Sequence, residues 1–309
     1  MNNQNSEEYI EDQIDLAVLF KALFEGKWII IGFTSIASII VVIYSLSLPN
    51  IYKSEALLVP ISSKESVGGN VSDLGGLASL AGISLSDSSD NSAVAFEKLH
   101  SLSFFEEKIL PQINLPDLMA IESWEPSSNA ISYDDEIYDD NENVWTREIS
   151  GLQTPEPSAQ ESFKAFMEQM IIFKDIKTKL VTIGVKHQSP FIAKQWADLV
   201  ISEINSFYRE KDRSEATFAV NYLNGELSKT RLSEVKMVIA EVLAQQIQTL
   251  TLIEANANYV FDFIDPPAVM EKKSEPRRAI ICIIGALLGG FIGAIVALFR
   301  FFKPFKSID

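Results

Sequence analysis

Gly285, Gly289 and Gly293 recur at every fourth position, with Gly290 beside them, inside an uncharged stretch over 279–299. Removing side chains along one ridge lets a second helix approach closely, which is how small residues drive association in lipid. Its partner could be Gly32 and Ser35 of an earlier apolar stretch, a neighbouring subunit, or another membrane protein. Just upstream stand Pro266, Pro267 and Pro276, then the pair Arg277-Arg278. The prolines restrict backbone freedom between a domain and the stretch that follows. The arginines suit lipid phosphates and would stop that stretch from sliding. This is chemistry of contact.

Catalytic constellations are missing. A phosphate-binding loop needs G-x-x-x-x-G-K-[ST], and the nearest pair, Gly26-Lys27, runs straight into Trp28. There is no G-x-S-x-G elbow and no H-E-x-x-H, and Cys282 has no second cysteine with which to hold a metal. His100 and His187 are isolated; His187 ends a strand pattern before a helix start and reads as a structural hydrogen-bonding group. Asp139-x-Asn141-x-Asn143 lacks the turn glycine and distal glutamate of a calcium loop. The acidic stretch 122–148 around it reads as a solvated surface loop. The expectation is a protein that is not an enzyme and holds no metal or cofactor.

Two apolar stretches, 28–48 and 279–299, must position these residues. Each has 21 residues without a charge, and ~20 suffice to cross a bilayer. The first follows a long, acidic leader, so it reads as an uncleaved anchor. Two crossings put both termini on one side and the middle, 49–278, on the other. The chain carries −16, of which residues 1–27 contribute −4 and the tail +2, leaving −14 for the middle. So acidic a segment repels nucleic acid, and none is expected as a partner. Basic residues flank both sides of the spans, so charge leaves the orientation open.

Between the termini the pattern alternates strands and helices. Ile14, Leu16, Leu19, Phe20, Leu23 and Phe24 recur at helical spacing and predict an amphipathic helix lying on the membrane. A strand is expected over 51–59, ending at Pro60; a Ser- and Gly-rich loop over 61–92; and a helix over 93–110, stopped by Pro111. Residues 179–187 alternate like a strand. Ser189-Pro190 then starts a helix reaching about residue 211. A long helix follows over about 215–256, with Leu223, Leu227, Val235, Val238, Val242 and Leu243 near heptad spacing. A strand at 259–265 leads back to the membrane.

The segments IDLAVLFKALFEGKW, YKSEALLVP, HQSPFIAKQWADLVISEIN and IDPPAVMEKKSEPRRAIICIIGALLGG together resemble the bacterial polysaccharide co-polymerases, the O-antigen chain-length determinants of Wzz type. The resemblance covers nearly the full length, although Met270 stands where such proteins usually carry a further proline. It implies an α+β fold: two transmembrane helices flank a periplasmic α/β base domain from which a long helix extends. The domains would be a cytoplasmic segment 1–27, a span 28–48, the periplasmic domain 49–278, a span 279–299 and a cytoplasmic tail 300–309. The implied partners are other copies in a homo-oligomeric ring, a Wzy-type polymerase, undecaprenyl-pyrophosphate-linked polysaccharide and membrane lipids. The implied role is setting polysaccharide chain length in a bacterial inner membrane. Two other readings stay open: an adaptor of capsule export that activates a separate tyrosine kinase, and a periplasmic ligand-binding sensor. Kinase activity in this chain is not expected, because it carries no ATPase motif.

Overall fold

The computed structural model describes residues 16–61, 91–256 and 258–302. Ile14, most of the Ser- and Gly-rich loop, and the tail lysines 303 and 306 lie outside the described residues. The chain forms two compact units, residues 51–273 and the two flanks, 1–50 with 274–309.

The flanking unit is helical. Helix α1 (Leu16–Glu25) turns at Gly26 into α2 (Lys27–Ser47), and a last helix, α9 (Arg278–Phe302), returns beside α2. Mean hydropathies of 2.4 and 2.7 go with windows only 6% and 17% buried, so α2 and α9 are not core helices of a soluble domain. Ile36, Ile39, Ile40 and Ile43 on α2 and Ile283, Leu287, Phe291 and Phe299 on α9 are exposed, as lipid-facing residues are. Phe20 and Phe24 of α1 are exposed while Ala22 is buried, so the helix has two unlike faces.

The larger unit is built on an antiparallel sheet, β6-β7-β1-β8, formed by β1 (Tyr52–Pro60), β6 (Met170–Lys174), β7 (Val181–His187) and β8 (Phe261–Asp265). Alternation along the inner strands sends Ser54, Ala56 and Leu58, and Val181, Ile183 and Val185, to one buried face. Gly184 lets β7 lie close to β1: a Cβ there would stand 2.6 Å from the Ser54 carbonyl oxygen. Across that face runs α7 (Pro190–Lys229), whose first half buries Ile192, Trp196, Val200, Ile201 and Ile204. A buried side chain of this size contributes roughly 1.5–3 kcal/mol.

Three expectations change. The helix expected over 93–110 is α3 (Asn91–Lys98), a break at which Ser101 accepts the Phe104 N–H, then α4 (Leu102–Phe104) and a π turn, Phe105–Ile109. Pro111 sits inside the 3-10 turn that follows, Leu110–Gln112, rather than ending the run. The strand β1 does end at Pro60, as expected. The helices expected to 211 and over 215–256 are instead one continuous α7 of 40 residues and, after three residues, α8 (Ser233–Ala255). The turn at 230–232, Thr-Arg-Leu, contains no glycine or proline to announce it. At about 1.5 Å per residue α7 is roughly 60 Å long. The acidic stretch is folded rather than a loop: hairpins β2 (Ile121–Glu125)–β3 (Ala130–Tyr133) and β4 (Tyr138–Asp139)–β5 (Val144–Trp145), the second braced by Tyr138 against Trp145 at 5.0 Å.

Two polar side chains fasten the larger unit. Buried Asn205 of α7 accepts N–H bonds from Tyr259, Val260 and Phe261 at 3.1, 2.7 and 2.9 Å and donates to the Ile201 and Phe261 carbonyls. Every hydrogen-bonding position of its amide is therefore engaged. Arg147 forks onto Glu161 at 3.1 and 3.0 Å and also donates to the Pro155 and Thr154 carbonyls. It thereby ties the end of the acidic hairpins to α6 (Ala159–Gln169), where Ser158 and Glu161 form a capping box. The Arg147 hydrogen bonds, together with the Ser158 N–H, hold the Glu161 carboxyl down at about 2.

Candidate functional site

The glycine ridge of α9 lies against α2 of the same chain. A Cβ on Gly285 would meet Val41; on Gly289, Ala37 and the Phe33 carbonyl; and on Gly293, the Ile30 Cα at 2.8 Å. One turn on, Gly26 faces Ala297, whose Cβ would be too close for any side chain there. Both partners advance by three or four residues in opposite directions, so α2 and α9 cross as an antiparallel pair with their backbones near contact. Gly290 sits at the margin, 3.3 Å from the Thr34 hydroxyl, which itself donates to the Ile30 carbonyl at 2.8 Å. The earlier stretch does supply the partner, through Ile30, Thr34, Ala37 and Val41. Gly32 and Ser35 are exposed on another face, and nothing lies within 4 Å of a Cβ built on Gly32.

The arginine pair divides. From the first turn of α9, Arg278 donates to the Leu48 carbonyl and to Asn50 Oδ1, both at 3.1 Å. It caps the C-terminal end of α2, where carbonyls lack helical partners. Arg277 is exposed just before the same helix start. Pro276, half-buried, belongs to this unit, whereas Pro266 and Pro267 belong to the larger one. There Pro267 is buried and Pro266 exposed, and Ser54 donates to the next carbonyl, Ala268, at 2.8 Å, fixing the segment to β1. The structure thus gathers the four glycines and Arg278 into one helix pair and leaves the first two prolines in the sheet unit.

His187 is a structural group. Its Nδ1 accepts the Ser189 N–H at 3.0 Å, which leaves Nε2–H to donate to the Asp117 carbonyl at 3.0 Å. Burial pushes its pKa down. Asp139 Oδ1 accepts the N–H groups of Asn141 and Glu142, closing a tight turn. Reasoning from sequence missed Asn205 and Arg147. The signal for Asn205 was an amide on the same helix stripe as Ile201, Ile204 and Tyr208, where a polar group must be satisfied by something across the core.

Comparison with known proteins finds a family model that matches part of the chain. Residues 12–107 match the model of the chain length determinant protein family, Wzz. No curated protein matches the chain. Among solved structures, a full-length bacterial polysaccharide co-polymerase aligns over 95% of this chain and 100% of its own, at 12% identity and a TM-score of 0.39. A fragment of WzzB, a polysaccharide co-polymerase from Salmonella Typhimurium, aligns over 73% and 100%, at 13% identity and a TM-score of 0.32. Residues 12–107, which hold the first apolar helix and the strand after it, are thus similar to the chain length determinant proteins.

Proposed function

We propose that this chain regulates the length of lipopolysaccharide O-antigen or a related surface polysaccharide, as an oligomeric inner-membrane co-polymerase working with a Wzy-type polymerase. The match of residues 12–107 to the chain length determinant family carries the reading. The antiparallel pair of α2 and α9 supports it, because two crossings leave both ends on one face of the membrane, here assigned to the cytoplasm, and the sheet unit on the other, the periplasm. The helical hairpin of α7 and α8 supports self-association. Phe218 and Met237 are 73% and 67% exposed, and Tyr222, Leu232 and Val238 are exposed with them. Large apolar side chains left exposed along one hairpin suit a protein interface. The protein acts as a regulator, holding growing chains and their undecaprenyl-pyrophosphate carriers near the polymerase, and the polymerase performs the chemistry. Arg277 contacts lipid headgroups at the membrane boundary.

Silver-stained lipopolysaccharide from a deletion strain tests the assignment. The modal band cluster is expected to disappear on deletion and to return when the gene is supplied on a plasmid. A ladder unchanged by deletion overturns the reading.

A further inference from the structure

A groove of about 460 Å³ opens on the flank of α7 within the sheet unit. Gln195, Asp198 and Ser206 line it from the helix, spaced so that they fall on one side. Gln112, Asn258 and Phe263 also line it, Phe263 from the edge strand β8, and further α7 residues form the rest. Some of this polar set is committed. Gln112 donates to Glu203 Oε1 at 2.9 Å, Asp198 Oδ2 accepts from Lys194 at 2.5 Å, and Asn258 donates to Asp262 at 2.6 Å. The Gln195 amide and the Ser206 hydroxyl make no hydrogen bond to the described residues. Two uncommitted donor–acceptor groups therefore share one concave surface with an aromatic ring that is 36% exposed.

The lining selects a class of ligand. Among the described residues no lysine or arginine lines the groove, so a phosphate or carboxylate would find no counter-charge from them. An acyl chain would cover amides and hydroxyls and leave them without partners, at roughly 1–3 kcal/mol each. A neutral pyranose suits both features: its hydroxyls meet amide and hydroxyl groups, and its C–H face lies against an aromatic ring. The volume falls within the ~300–1,000 Å³ of small-molecule sites. We propose that this groove binds a neutral hexose segment of a polysaccharide, with Gln195, Ser206 and the Oδ1 of Asp198 bonding to its hydroxyls and Phe263 stacking on the ring. The inference rests on the chain-length reading and deepens it, since it gives the regulator a direct hold on the polymer.

The test uses the full chain in nanodiscs and saturation-transfer NMR, with the strain's own delipidated polysaccharide as probe. Binding is expected for wild type, with about fivefold weakening for Gln195→Ala and for Phe263→Ala, the equivalent of roughly 1 kcal/mol each. An unchanged thermal midpoint shows that each variant is folded. Equal binding by wild type and variants overturns the proposal, as does equal affinity for dextran sulfate. Variants that change oligomer size and not polysaccharide binding also overturn it, making the groove a contact between copies. Polysaccharide binding that depends on the groove, found beside a ladder unaffected by deletion, supports the site and sinks length control alone.

Discussion

At the scale of single residues, the polar groups that matter most are the ones with no vacancies. His187 is held neutral between a donor and an acceptor, and protonating it would put a second N–H against the Ser189 N–H. Its folded pKa lies below the ordinary ~6.5, so the unfolded chain binds more protons in that window. Stability is therefore fully present above about pH 6.5 and falls as the pH drops toward the depressed folded value. Thermal unfolding of the full chain between pH 7.5 and 5 is expected to show this loss. His187→Gln, which keeps a donor and an acceptor, should flatten part of the slope; an unaltered slope would assign it entirely to carboxylates. The sequence made His187 recognisable as structural, since a lone histidine between a strand and a helix start has few other uses. It could not name the Asp117 carbonyl as partner, because a backbone oxygen 70 residues away leaves no mark on side-chain pattern.

Among elements, the pair of α2 and α9 sorts its glycines by what each one faces. Gly293 looks at the Ile30 backbone, which cannot move without moving the helix, whereas Gly290 looks at a hydroxyl that can rotate away. Gly293→Ala is expected to cost roughly 1–3 kcal/mol by overpacking and to lower the detergent melting midpoint by several degrees. Gly290→Ala should leave it nearly unchanged. Equal effects would mean that the helices separate in detergent, or that the ridge faces something else. The glycine spacing was visible in the sequence, and the structure sets those glycines against α2. The register of the pair was not visible: the opposing surface of α2 is made of ordinary residues, Ile30, Thr34, Ala37 and Val41, and the small residues that looked complementary, Gly32 and Ser35, point elsewhere. The same limit explains the helices. Heptad spacing ran through residues 230–232 as though the chain were straight, because a three-residue turn can reverse direction without a breaker, and it included Val235, Val238 and Val242, which are exposed.

For the whole molecule, the broad plan was readable from composition: two uncharged stretches around an acidic middle predict two helices long and apolar enough to cross a membrane and a polar domain between them. Which parts of that middle are fixed and which are free came only with Asn205. Its carboxamide joins residue 205 to residues 259–261, and beyond Tyr208, the last residue of α7 in the core, the chain leaves the sheet unit and returns to it at this joint. The α7–α8 hairpin is in this sense an insertion closed at its root, with arms of nearly equal length above the joint. Removing seven residues from each arm keeps the facing stripes in phase and changes the loop-closure cost by well under about 1 kcal/mol. Such a shortened chain is expected to fold with its sheet unit intact, as amide exchange at β1 and β7 would report, and loss of protection there would refute it. The length of the hairpin is thus adjustable by deletion or duplication of whole turns, independently of the sheet to which its root is tied.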